Sequence, residues 1–420
     1  MLEKVAIYLD SNAGAPLKPA VVEALLPYFR ENCVLIPNPS SIHSHGRLGK
    51  RAIAEAKEQI AASLGILGSR PDLSQFHFTS SGSEANQTAI RSVLEPLLEG
   101  HPSEAATQFH TEHGPHWITT HAEHDSNRQM ISWFESRGGR VDYLPLDSAG
   151  APRVELLESL IRPETALISI IWINNETGGV TDLQRLGQVM AHLRPISLHL
   201  DAAQAWGKVK VNLPQLAALG ADWVSFSGHK IGGFAGIGLL WTPHVKNIRP
   251  TVLGKQDQGR RGGTENLIGI IGLGAAAATI EPEAWSARVE PLRDRLEAEI
   301  LKRIPGVFVN GLGQARVANT LNISFAGVES EGLVMALDLE GYSVSAGSAC
   351  SSGVVEPSAV LLAMGRTRSQ AKASIRVSLP DVVPWPTLEG FVSSLEKVVA
   401  RFRSINSGLK RRVNEVPVLL

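Results

Sequence analysis

The chain has 420 residues, 43% apolar and 19% charged, with 40 Lys and Arg against 41 Asp and Glu. That length accommodates two domains with sizeable cores, and a net charge of −1 leaves no whole-chain field to recruit nucleic acid or an anionic membrane. Cys33 and Cys350 are the only cysteines and lie far apart, which argues against a disulfide framework and for a reducing compartment. The N-terminal residues contain acids and no apolar stretch of signal-peptide length. The longest uncharged apolar run, 267–280, is Gly/Ala-rich and shorter than the ~20 residues a bilayer crossing needs. A soluble, cytoplasmic protein is expected, without nucleic acid or membrane as partner.

In chain order, Val5 to Leu9 predicts a strand ending at Asp10-Ser-Asn12, and Pro19 to Phe29 an amphipathic helix. Residues 36–46 are too rich in Pro and Ser to be regular. From Arg47 to Leu64, Leu48, Ile53, Ala56, Ile60 and Leu64 recur at helical spacing. Phe76 to Thr79 predicts a short strand running through Ser80-Ser-Gly82-Ser83 into a helix that reaches about Leu98. A strand, a small-residue turn and a helix aim free N–H groups at an anion, so Gly82 and Ser83 are phosphate candidates; a plain N-cap by Ser81 or Ser83 is the alternative.

Residues 101–124 hold six of the 13 histidines. His110, His113 and His116 are evenly spaced, but they lie among Gly, Pro, Thr and Glu without a cysteine or a helical i, i+4 pair, which favours a loop insertion over a metal site. Trp117 to Thr120 predicts a strand, after which His124 can lie flat on a planar cofactor or move protons; helix capping by Asp125 and Ser126 is the competing account. Ala166 to Ile173 is the clearest strand and ends in Asn174-Asn175-Glu176, polar groups that are costly to bury unless paired or bound to something.

Two further apolar runs end abruptly in polar residues: Ile196 to Leu200 reaches Asp201 and Gln204, and Trp223 to Phe226 reaches Ser227, His229 and Lys230. Ligands bind at such strand ends in open α/β sheets. An acid at one end and a lysine at another suit pyridoxal 5′-phosphate (PLP): the lysine holds the aldehyde as a Schiff base, and the acid keeps the pyridine nitrogen protonated. Ser227 and His229 add donors for the phosphate. A helix start with Ser227 as N-cap and a surface Lys230 is the plainer alternative.

After a strand at Ile237 to Trp241, the βα alternation stops near the Arg260–Asn266 segment, which sets a boundary at about residue 265. The remainder mixes a long helix (282–304), strands at 307–309 and 319–325, and a helix at 329–340. Cys350 follows in a Gly- and Ser-rich segment, where an exposed thiolate has chemistry open to it. Arg376, in an apolar strand, needs an anionic partner, either a substrate carboxylate or a buried Asp or Glu.

Taken in order, Tyr8-Leu-Asp10, Asn38-Pro-Ser-Ser41, Phe78-Thr-Ser80, Ala122-Glu-His124, Asn174-Asn-Glu-Thr-Gly178, Asp201-Ala-Ala-Gln204, Ser227-Gly-His-Lys230, Gly263-Thr-Glu-Asn266, Gly347-Ser-Ala-Cys350 and Ile375-Arg376 resemble the cysteine desulfurases of the class V aminotransferase family. The Gly-Ser-Ala-Cys segment is similar to the branch with a longer, mobile cysteine loop. The resemblance implies a PLP-dependent transferase of fold type I, an α/β protein. A large domain (16–264) would carry a mostly parallel seven-stranded sheet flanked by helices, and residues 1–15 and 265–420 would form a smaller α+β domain with the cysteine loop.

The same resemblance assigns roles. Lys230 would bind the cofactor aldehyde and act as base, Asp201 would pair with the ring nitrogen, and His124 would stack on the ring. Gln204 and Asn175 would face the ring oxygen and the substrate side. Gly82, Ser83, Ser227 and His229 would hold the phosphate, and Thr264 would complete the cup of a neighbouring subunit in a homodimer. Arg376, with Asn12 and Asn175, would hold the carboxylate of L-cysteine. Cys350 would take the sulfur as a persulfide and pass it to an acceptor protein docking near its loop, for iron–sulfur cluster or thio-cofactor assembly. The 101–116 insertion and the Glu-His-Asp-Ser that follows are similar to the selenocysteine lyases, which makes selenocysteine the alternative substrate. A non-catalytic sulfur-transfer scaffold is a further alternative.

Overall fold

The computed structural model describes residues 6–29, 37–68, 71–100, 114–193, 195–346 and 356–414, with side chains as far as residue 406. A short strand, β1 (Ile7–Tyr8), opens the chain. Seven strands then build the central sheet: β2 (Phe76–Thr79), β3 (His116–Thr119), β4 (Arg140–Tyr143), β5 (Thr165–Ile171), β6 (Ser197–Asp201), β7 (Ala221–Ser227) and β8 (Gly238–Trp241). Their spatial order is β2-β8-β7-β6-β5-β3-β4. The pairs from β4 to β7 are parallel, while β8 runs antiparallel to both neighbours. The sheet is therefore mostly parallel, as the sequence resemblance implied.

Strands β5 and β7 are buried along their whole length. That is why they read as continuous apolar runs without alternation: helices cover both faces of the sheet. Strand β4 is only half-buried at every position and forms one edge of the sheet. The helices Pro19–Phe29, Ser44–Ser63 and Leu267–Ala277 pack on the sheet through Val21, Leu25, Ala56, Ile60, Ile270 and Leu273. The last of these is apolar all round, the composition of a helix enclosed by others.

A second core surrounds an antiparallel sheet of order β12-β13-β10-β9, made of β9 (Val307–Asn310), β10 (Thr320–Phe325), β12 (Ser345–Ala346) and β13 (Ser374–Ser378). Strand β11 (Tyr342–Ser343) pairs in parallel with β1, and Asp10 bridges to Ser378, so the N-terminal segment belongs to this smaller unit. The helices Pro282–Arg303 and Trp385–Asn414 flank it. The Leu267–Ala277 helix is buried in the first core, and the second core takes in Leu9 and then residues from Val289 onward. Among the described residues no single helix is long and apolar enough to cross a membrane.

Candidate active site

The C-terminal ends of β2, β3, β5, β6 and β7 open onto one cavity of about 740 Å³, closed on the far side by Asn12 and Arg376 of the smaller unit. Polar groups are concentrated there because strand direction is shared. Each parallel strand releases its chain into a loop on the same rim.

Asp201 ends β6 and is 2% exposed. Its carboxylate accepts hydrogen bonds from the Ala203 N–H (3.0 Å) and from Asn86 Nδ2 (2.8 Å). Neither donor is charged, so a cationic ring N–H suits the remaining capacity of this buried acid. Lys230 comes from the short turn Gly228–Lys230 that follows β7, and Ser227 does not cap that turn. Its Nζ donates to the carbonyls of Asn12 (2.6 Å) and Ala13 (3.0 Å). Burial, reinforced by the Arg376 guanidinium, lowers its pKa from 10.5 to about 8, which favours the neutral amine that attacks a carbonyl.

The helix Gly82–Leu98 starts at the cavity wall. Ser81 caps it by accepting the Glu84 N–H (3.1 Å), leaving the Gly82 and Ser83 N–H groups in the first turn without intrahelical partners. A Cβ on Gly82 would stand 3.0 Å from Ser227 Cβ, so the helix start and the end of β7 form a narrow cradle. Ser227 Oγ lies 3.0 Å from His229 Nδ1, and burial lowers the His229 pKa to about 4, keeping the ring neutral. Backbone donors at a helix N-terminus, two serines and an uncharged imidazole make a donor set suited to a phosphate. The residues fit PLP at both ends.

His124 lies on the rim, where its Nδ1 accepts the Ser126 N–H (3.1 Å), placing the proton of the neutral ring on Nε2. It thus caps the helix Asp125–Glu135 and lines the cavity at once. Gln204 donates Nε2 to the Asn12 carbonyl (2.9 Å). Asn175 lines the cavity, and its carbonyl accepts from Arg376 (3.0 Å) and Asn12 Nδ2 (3.2 Å). The Asn12 amide also donates to Thr320 Oγ1 (2.9 Å), so its side chain bridges the two units. Arg376 is paired with Asp10 (2.5 Å), the buried-acid alternative of the sequence reading, yet its Nε is buried without a partner. Thr264 is exposed and does not line this cavity. Cys33 and Cys350 fall outside the described residues, as do His110 and His113. His116 opens β3, buried against Thr165 (2.8 Å) and Asp142 (3.3 Å).

Asn86, Glu123 and Lys208 have no role assigned from the sequence, whereas Glu176 is among the polar groups expected to be paired. Asn86 holds Asp201. Glu123 is buried beneath the site and accepts from Thr120 (2.9 Å), the Ile171 N–H (2.9 Å) and Asn127 (3.0 Å), with its pKa raised by burial to about 8. Glu176, raised by burial to about 7, accepts from Ser358 (2.5 Å). Lys208 is buried behind Gln204. For Glu123 the available signal is its place immediately beside His124.

Such a rim, with an amine made nucleophilic and an acid to hold a ring nitrogen, is the arrangement of fold-type I PLP enzymes. The chain belongs to the class-V aminotransferase family, whose model, "Aminotransferase class-V", matches residues 7–381. It is 38% identical over 404 residues to a cysteine desulfurase of Nostoc sp., covering 95% of this chain and 94% of that one. Among solved structures, a NifS-like protein from Rickettsia africae superposes with a TM-score of 0.78 at 29% identity, covering 94% of this chain and 99% of that one. The structure described as SspA in complex with cysteine gives 0.73 at 29% identity, over 90% and 99%.

Proposed function

We propose that this protein is a PLP-dependent cysteine desulfurase, converting L-cysteine to L-alanine and retaining the sulfur as a persulfide on Cys350. The observation that carries the reading is the pairing of a desolvated Lys230 with the buried Asp201 carboxylate across one cavity. The relationship to curated cysteine desulfurases over 95% of the chain supports it.

In this reading Asp201, steadied by Asn86 and the Ala203 N–H, holds the ring nitrogen, while Gly82, Ser83, Ser227 and His229 hold the phosphate. Thr264, exposed on its loop, serves the cup of a second copy in a homodimer. Bound PLP supplies the electron sink for bond breaking at the substrate Cα. Arg376, which lines the cavity, receives the substrate carboxylate while Asp10 and the Asn175 carbonyl hold its guanidinium in place. Asn12, whose side-chain donors are engaged, acts by position. Lys230, neutral once released, removes the Cα proton. The Cys350 thiolate attacks the substrate sulfur: the S–S bond forms, the C–S bond breaks, and the carbon keeps the electron pair and gains a proton. His124, with its proton on Nε2 at the rim, is placed to move that proton. The persulfide sulfur then passes to an acceptor protein, in a compartment reducing enough to keep Cys350 a thiol.

Alanine and sulfide are measured with L-cysteine and a thiol reductant, in wild type and Cys350→Ala. Alanine formation that requires both PLP and Cys350 supports the reading. Turnover of L-selenocysteine alone would replace it with a selenocysteine lyase, and turnover indifferent to Cys350 would leave a PLP lyase.

A further inference from the structure

Lys208 is 7% exposed, on the turn that follows β6. The turn is closed by the Lys208 N–H on the Ala205 carbonyl (3.0 Å), passes through Gly207 at φ 84°, and is anchored by Trp206, whose Nε1 donates to Ser63 Oγ (3.2 Å). Lys208 therefore projects from a rigid base. Among the described residues its Nζ hydrogen-bonds to two neutral amide oxygens, Asn12 Oδ1 (2.6 Å) and Gln204 Oε1, and to no carboxylate. Burial and the nearby Lys230 and Arg376 cations hold its pKa well below the usual lysine value.

The consequence falls on Gln204. A glutamine amide presents a donor at one end and an acceptor at the other, and nothing in its shape decides which faces a ligand. Here the Asn12 carbonyl, which can only accept, takes Nε2 at 2.9 Å, and Lys208 takes Oε1. Gln204 lines the cavity, with one of its two Nε2 hydrogens uncommitted. We infer that Lys208 is a positioning residue that locks the Gln204 amide with its donor toward the cofactor, so that the phenolic oxygen of PLP meets an N–H and not a carbonyl. This rests on the reading of the cavity as a PLP site with Gln204 beside the ring oxygen.

An N–H on that oxygen stabilises its anionic form, which lowers the pH at which the bound cofactor loses its internal proton. Releasing Gln204 to turn reverses the effect. Loss of one hydrogen bond to a charged oxygen corresponds to about one pH unit, a tenfold change in that proton equilibrium.

The test is a pH titration of the visible absorbance band of the holoprotein in wild type, Lys208→Met, Lys208→Gln and Gln204→Ala, with thermal melts alongside. Lys208→Met and Gln204→Ala are expected to raise the midpoint by about one pH unit, while Lys208→Gln, which still offers an N–H to Oε1, returns it toward wild type. A Lys208→Met midpoint equal to wild type, with Gln204→Ala shifted, overturns the role of Lys208 and leaves the cofactor site standing. No shift in either variant overturns the placement of Gln204 and the proposal with it. A wild-type protein without a visible band after incubation with PLP overturns the cofactor reading itself. A general structural role for Lys208 predicts a lower melting temperature for Lys208→Gln and Lys208→Met alike, without the split in midpoint.

Discussion

Lys230 gives the most quantitative prediction. Its amine lies among carbonyls, close to the Arg376 guanidinium, and its pKa is lowered from 10.5 to about 8. At pH 7.5 an amine of pKa about 8 is roughly 24% neutral, against roughly 0.1% for one at 10.5, a gain of about 240-fold in nucleophile. The assay is acylation of the PLP-free protein by an amine-selective reagent between pH 6 and pH 11, with the rate at Lys230 read by peptide mass mapping. The rate is expected to rise with a midpoint near 8. Replacing Arg376 with Met removes the second cause of the shift and moves the midpoint upward. A wild-type midpoint above 10 would refute the desolvation argument, because the lysine would then behave as a solvated side chain.

Two further outcomes are expected. Glu123 has its pKa raised from 4.5 to about 8, so the stability it confers as a neutral acid is full below pH 4.5 and is lost as pH rises through 8. Asn127 Oδ1 is buried without a partner; turning that amide gives the Glu123 proton an acceptor, which Glu123→Gln would match. Denaturant melts at pH 5 and pH 8 are expected to show Glu123→Gln gaining on wild type by a few kcal/mol, on the order of 1.4 kcal/mol per pH unit; a gap independent of pH would count against a buried neutral acid. Arg376→Lys keeps a cation beside Asp10 but loses the planar fork. Steady-state kinetics are expected to show a rise of about tenfold or more in KM for L-cysteine with a smaller change in kcat, since a single lost charge-assisted hydrogen bond is about 1.5–3 kcal/mol. A change confined to kcat would remove Arg376 from carboxylate binding.

Much of the framework is legible in sequence because local pattern and tertiary environment agree. Phe76–Thr79 and Pro19–Phe29 have in the structure the bounds their pattern predicts, and Asp201 and Lys230 stand out because apolar strands stop at them. Strand β4 has no clear signature in the sequence, because Arg140-Val-Asp-Tyr is half-buried at each position and too short to alternate clearly. In the Trp385–Asn414 helix, Leu388, Phe391, Val392 and Leu395 recur at helical spacing and are buried in the second core. The residues that orient the site were less visible for a different reason. Asn86 matters because it meets Asp201, and Asp10 because it meets Arg376, across separations of 115 and 366 residues. Nothing local distinguishes such an asparagine from a capping one.

The most direct test of the central claim is to reduce the PLP-loaded protein with borohydride, which fixes the cofactor to the lysine that holds it, and to map the modified peptide by mass spectrometry. Among the described residues, Lys230 lines the cavity and Lys208 is buried close behind it, so the result discriminates. The account predicts the phosphopyridoxyl group on Lys230, with Lys208 unmodified and no adduct in Lys230→Ala. An adduct on Lys208, or equal labelling scattered over surface lysines, would contradict it.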